Sequence, residues 1–116
     1  MRKLIPALVV LVAGCAAALG AERPMRLWNL TRHTISEFYL APAGTTNWSP
    51  DQCQNDKDGS VDADERLQLR NIAPGAYDVK LTDEHGRTCY AKNVQVKTGG
   101  AYSFSLNDKE LTDCSQ

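Results

Sequence analysis

From Pro24 onward the chain runs in short stretches that alternate apolar and polar residues. Turn residues separate them at intervals of about 8 to 12 positions, the rhythm of strands in a sandwich or barrel. No stretch here has the apolar spacing of an amphipathic helix of useful length. A core must therefore come from sheets that each bury one face.

The clearest strand is Ala76-Tyr77-Asp78-Val79-Lys80-Leu81-Thr82, with Tyr77, Val79 and Leu81 on one face and Asp78, Lys80 and Thr82 on the other. The turn Asp83-Glu84-His85-Gly86 leads into a strand over 87–96, and Gly86 supplies the positive φ that such a hairpin needs. A turn at 97–100 then connects to Tyr102-Ser103-Phe104-Ser105-Leu106, so the three runs read as a meander. Upstream, 25–31 and 34–41 read as a second hairpin, and 66–71 as a strand that ends at Ala73-Pro74-Gly75. Phe38 and Leu40 face inward while Ile35 is out of phase, which predicts a bulge or register change near Glu37. Residues 42–65 lack apolar periodicity and read as a surface loop, long for so small a domain. The expected fold is all-β: one small antiparallel β-sandwich of six or seven strands over residues 24–116.

Arg2 and Lys3 precede the apolar run 4–14, and small residues follow, the order of a secretory signal. A membrane anchor fits less well, because Pro6 breaks the uncharged stretch and Gly and Ala dilute its end. Two cleavage sites compete. Cleavage after Gly20 removes a signal peptide, 1–20, and releases a periplasmic or secreted protein; Val12-Ala13-Gly14-Cys15 resembles a lipobox, which makes 1–14 a lipoprotein signal and Cys15 a candidate lipidation site. Either product lies outside the cytoplasm, and a membrane contact follows only from lipidation.

Export sets the reading of the cysteines. Cys53, Cys89 and Cys114 are disulfide candidates under either cleavage, and an oxidising compartment favours one bridge among them, with Cys53 to Cys89 preferred because Cys114 lies near a terminus. Loss of Arg2 and Lys3 leaves 11 of the 13 basic residues against 14 acidic ones, a net charge of −3. That balance gives no basic footprint for nucleic acid.

Catalysis needs a base, and His33 and His85 both fall in turns with none of the local sequence of a nucleophile elbow or a zinc helix, so both read as solvated turn residues. The acidic stretch 51–65 offers a ligand set. Against the calcium loop of an EF-hand it has Asp56 at the third position, Asp58 at the fifth, Gly59 at the sixth, Asp62 at the ninth and Glu65 at the twelfth. Gln54 stands where a carboxylate begins that loop, and the competing reading is a solvated loop of Asx turns. Trp48 suggests a carbohydrate surface that Trp28 or Tyr39 could join, although aromatics make up only 7% of the chain and packing beneath the long loop is the simpler expectation for Trp48.

The segments Leu27-Trp28-Asn29-Leu30-Thr31, Thr34-Ile35-Ser36-Glu37-Phe38-Tyr39-Leu40-Ala41-Pro42 and Asn47-Trp48-Ser49-Pro50-Asp51, with Pro74-Gly75, Tyr77-Asp78-Val79-Lys80-Leu81 and the turn at 83–86, resemble a family of small exported bacterial proteins of unknown function. The resemblance spans most of the mature chain and implies a compact β-sandwich in the cell envelope. It brings no activity and no site residues. Relatives with a Cys before the Tyr-Asp strand and another after the next strand have Ala76 and Lys97 as their counterparts here, so no bridge carries over.

These readings converge on a noncatalytic exported module that binds an envelope protein or ligand, or serves a structural role, with 42–65 as its contact surface. It needs no cofactor. The alternatives are a calcium-dependent module using the acidic loop and, furthest from the residues, an envelope enzyme.

Overall fold

A computed structural model describes residues 25–98 and 100–116. The expected signal peptide, its two candidate cleavage sites and Cys15 lie outside them. The described residues form seven strands: β1 Met25–Leu30, β2 Ile35–Pro42, β3 Arg66–Leu69, β4 Gly75–Asp83, β5 Thr88–Val96, β6 Phe104–Asn107 and β7 Thr112–Ser115. Two short 3-10 turns, Gln52–Asn55 and Asp108–Glu110, complete the regular structure.

The strands divide into a three-stranded sheet, β3-β1-β6, and a four-stranded sheet, β2-β4-β5-β7. Alternation places the core between them. Leu27, Leu67, Leu69, Phe104 and Leu106 point from the small sheet toward Phe38, Leu40, Val79, Leu81 and Ala91 of the large one. Phe38 and Phe104 meet across the interface with ring centroids 6.2 Å apart. Each buried Leu, Val or Phe side chain among them contributes about 1.5–3 kcal/mol by leaving water.

The chain differs from its sequence reading in how the strands are paired. Strands β1 and β2 do not form a hairpin, because they belong to different sheets. The four residues between them cross from one sheet to the other at a corner fixed by the buried Asn29. Its amide donates to the carbonyls of His33 at 2.9 Å and Val61 at 3.1 Å, and its Oδ1 accepts from the N–H and hydroxyl of Thr31. Nor do the last three runs make a meander, since β6 leaves β5 and pairs with β1. That pairing is parallel, which departs from the all-antiparallel expectation.

Local irregularities follow the residues closely. The expected break in β2 lies between Ile35 and Glu37, and it returns Ile35 to the core. In β4 the alternation is locally overridden: Asp78, read as outward-facing, is buried. Opposite it β5 bulges at Asn93, whose φ is +52°, and Asp78 holds the bulge by accepting from Asn93 N–H at 2.9 Å and from Gly44 N–H at 3.0 Å. These two backbone bonds, the Asn93 bond foremost, hold its carboxyl below the usual carboxylate range against the opposing effect of burial.

The disulfide joins Cys89 and Cys114, not Cys53 and Cys89. Cys53 sits in the first 3-10 turn with its thiol buried and aimed at the carbonyl of Ile35, 3.5 Å away. The C-terminal segment is held rather than frayed: Asn107 and Glu110 close a capping box over the second 3-10 turn, and β7 then lies beside β5 with Cys114 next to Cys89. The bridge fits an oxidising, extracytoplasmic setting. Among the described residues no helix is long and apolar enough to cross a membrane.

Candidate functional site

Three places bring together chemistry-bearing side chains. The first is the acidic connection between β2 and β3, which is less of a surface loop than its composition suggests. Gln52, Cys53 and Val61 are buried, and Val61 exchanges two backbone hydrogen bonds with Ile35. Within it the carboxylates are engaged locally. Asp51 caps the 3-10 turn through Cys53 N–H and also accepts from Phe38 N–H, both at 3.0 Å. Asp56 accepts from Asp58 N–H at 2.9 Å and Glu65 from Asp62 N–H at 3.1 Å, while Asp62 accepts from the Thr34 hydroxyl at 3.0 Å. Asp64, at φ +70°, takes the indole N–H of Trp28. The candidate ligands Asp56, Asp58, Asp62 and Glu65 are thus placed in successive turns, and the structure does not gather three of them around one point.

The second place is the outer face of the four-stranded sheet. Tyr39, Lys80 and Tyr90 are register partners across β2, β4 and β5, so their side chains form one row. The connection lays Trp48 against this row. The Lys80 ammonium lies 5.1 Å from the ring centroids of both Tyr39 and Trp48, and Lys92 lies 5.7 Å from that of Tyr90. The Tyr39 hydroxyl donates to Glu37 at 2.9 Å. That bond, with partial burial, pushes the Tyr39 pKa up to about 12, so the hydroxyl remains a donor. All four of these row and loop residues, Tyr39, Trp48, Lys80 and Tyr90, are half-buried. Trp28 does not join them. It lies on the other sheet, under the Arg66 guanidinium at 4.4 Å and beside Tyr102 at 5.1 Å.

The third place has no counterpart in the sequence reading. His33, on the β1–β2 corner, and Glu84 and His85, on the β4–β5 turn, come together although some 50 residues separate the two turns. One Glu84 oxygen lies 3.3 Å from His33 Nδ1 and 3.8 Å from His85 Nε2. The imidazoles meet edge to face with centroids 5.2 Å apart. Both turns are tightly held. Asp83 accepts from His85 N–H at 2.8 Å and Arg87 N–H at 3.1 Å, and Gly86 at φ +80° closes the turn onto the Asp83 carbonyl. Burial raises the Asp83 pKa, but the His85 and Arg87 N–H bonds and the Arg87 guanidinium outweigh it and keep the carboxyl below the usual range. The turns are joined directly by Glu84 N–H donating to the Thr34 carbonyl at 2.9 Å, and by Thr34 N–H donating to the Glu84 carboxylate at 3.3 Å.

Sequence spacing could not reveal this cluster, since a metal-ligand pattern is searched for within one segment and this one is made by the sheet topology. The one available signal was the expectation that both histidines occupy turns. No family model, no curated protein and no solved structure matches this chain.

Proposed function

We propose that the protein is a noncatalytic binding module exported to the bacterial cell envelope, and that it grips its ligand on the outer face of the four-stranded sheet. The observation that carries this reading is the convergence of Trp48 and Tyr39 on Lys80, with Tyr90 next in the row. Rings fixed side by side on a sheet stack on the C–H faces of sugar rings, and Lys80 and Glu37 supply a donor and an acceptor for hydroxyls beside them. Envelope glycan is the ligand chemistry this face fits. The connection keeps the contact role expected for it, narrowed to the segment that delivers Trp48.

Other features support the same reading. The Cys89–Cys114 bridge suits the envelope, and the Arg2 to Gly20 segment has the order of an export signal, with Cys15 marking a lipid-anchored alternative to release after Gly20. The resemblance to small exported bacterial proteins belongs here too. Cys53 is a poor nucleophile: burial above all, then the nearby Asp51 carboxylate, pushes its pKa up to about 12.

Cosedimentation with purified cell-wall sacculi tests the proposal. The protein is expected to pellet with sacculi, and a Trp48→Ala Tyr90→Ala variant to stay in the supernatant with its melting temperature little changed. Equal pelleting of the two proteins, or none of either, overturns it.

A further inference from the structure

We propose that His33, Glu84 and His85 form a binding site for a divalent transition-metal ion of the zinc type. Two imidazoles and a carboxylate are the donor set such borderline ions take, whereas calcium and magnesium prefer oxygen alone. One donor atom from each of the three residues lies within 4.8 Å of the other two. A tetrahedral zinc ion with bonds of about 2.0–2.1 Å spaces its donors about 3.4 Å apart. The His33–Glu84 pair, at 3.3 Å, is already there, and the His85–Glu84 pair, at 3.8 Å, closes by a small rotation of an exposed side chain.

The surrounding bonds are those that orient metal ligands. The His33 carbonyl accepts from the Asn29 amide at 2.9 Å, which fixes the corner from which the ring projects. The Glu84 carboxylate accepts from Thr34 N–H, an outer partner that aims the ligand. His85 is anchored on both sides of its peptide unit, its N–H by Asp83 and its carbonyl by the Gln116 side chain at 3.0 Å. The donors stand on rigid turns of two different elements, so an ion bound here clamps the β1–β2 corner to the β4–β5 hairpin. The side chain of His33 is 28% exposed and that of His85 66%, so the fourth position faces solvent and takes water or a donor from a partner. This site uses none of the residues of the aromatic row, so its success or failure is independent of the glycan reading.

Zinc binding by the untagged protein, followed by calorimetry and by the visible absorption of the cobalt(II) form, tests it. The expected result is one ion per chain, with His33→Ala, His85→Ala and Glu84→Gln each weakening binding at least about tenfold and Asp58→Asn leaving it unchanged. Nitrogen-15 NMR should show the metal on Nδ1 of His33 and on Nε2 of His85. His85 is exposed, so His85→Ala keeps the test informative even if a corner variant fails to fold. No saturable zinc binding in the micromolar range, or the same affinity in His85→Ala, overturns the proposal, as does loss of binding in Asp58→Asn.

Discussion

The acidic connection and the corner where the β1–β2 and β4–β5 turns meet both carry metal-ligand side chains, and the fold uses them in opposite ways. In the connection the carboxylates are close in sequence, and most are drawn to a nearby N–H or hydroxyl: Asp51 to Cys53 and Phe38, Asp56 to Asp58, Glu65 to Asp62, Asp62 to Thr34. At the corner His33 lies some 50 residues from the adjacent Glu84 and His85, the two turns are held mainly by Asp83 and Asn29, and the side-chain tips converge. Carboxylates that form turns are competed away from a ligand, and donors mounted on turns formed by something else remain available to one.

Asn29 joins the two regions, so replacing it gives the largest break in this contrast. Its amide holds Val61 of the connection and His33 of the corner at once. Asn29→Leu removes four hydrogen bonds and leaves the Thr31 N–H without its partner, although the Val61 carbonyl keeps the Ile35 N–H, and should cost about 4 kcal/mol, with both regions loosened together. Urea denaturation reads the loss; hydrogen exchange shows whether 31–35 and 59–65 lose protection as one unit. Protection lost in only one of them breaks the link.

Next in size is the disulfide, which ties β7 and the C-terminal residues to the corner side of the large sheet. Cys89→Ala Cys114→Ala should cost about 3 kcal/mol, given a span of 25 residues. The melting temperature falls, and Gln116 no longer holds the His85 carbonyl. Cys53→Ala, in contrast, should leave the Cys89–Cys114 bridge intact by non-reducing peptide mapping, because the Cys53 thiol faces the Ile35 carbonyl.

A smaller effect separates the carboxylates by pH. Asp78 and Asp83 are held below the usual carboxylate range by N–H bonds of the folded chain. Their contribution is complete above the unfolded carboxylate pKa and is lost as pH falls through the lower folded values. Stability should therefore decline on acidification below about pH 4. The decline should flatten in Asp78→Asn Asp83→Asn. An unchanged acid profile in that variant would place the acid-sensitive groups elsewhere. Smallest of all is Asp58→Asn in the connection, expected to stay within about 0.5 kcal/mol of the parent by thermal melting.

How much of this was legible in the sequence varies with the range of the interaction involved. Alternation tells which residues face inward, which places Phe38, Leu40, Val79 and Leu81 correctly, and the phase slip at Ile35 gives the β2 bulge. Gly86 marked its turn for the same local reason. Alternation says nothing about neighbours, however. Nothing local distinguishes a β1 that turns back on β2 from one that crosses to pair with β3 and β6, because the decision rests on the Asn29 network with Val61, 32 residues away. The Cys89–Cys114 pairing and the burial of Asp78 were hidden for the same reason, since β7 and the Asn93 bulge supply the partners. The Trp48–Tyr39 half of the aromatic face was within reach of sequence reasoning. The strand register that adds Lys80 and Tyr90 was not, and neither was the meeting of His33 with His85.

The most direct test of the contrast is one residue-resolved NMR titration of the same sample, first with calcium and then with zinc. The account predicts that calcium leaves the amides of 54–65 in place and that zinc shifts the signals of 31–35 and 83–87 together with both imidazole rings. Calcium shifts that order 54–65, with a corner that stays silent to zinc, would contradict it and return the ligand chemistry to the acidic connection.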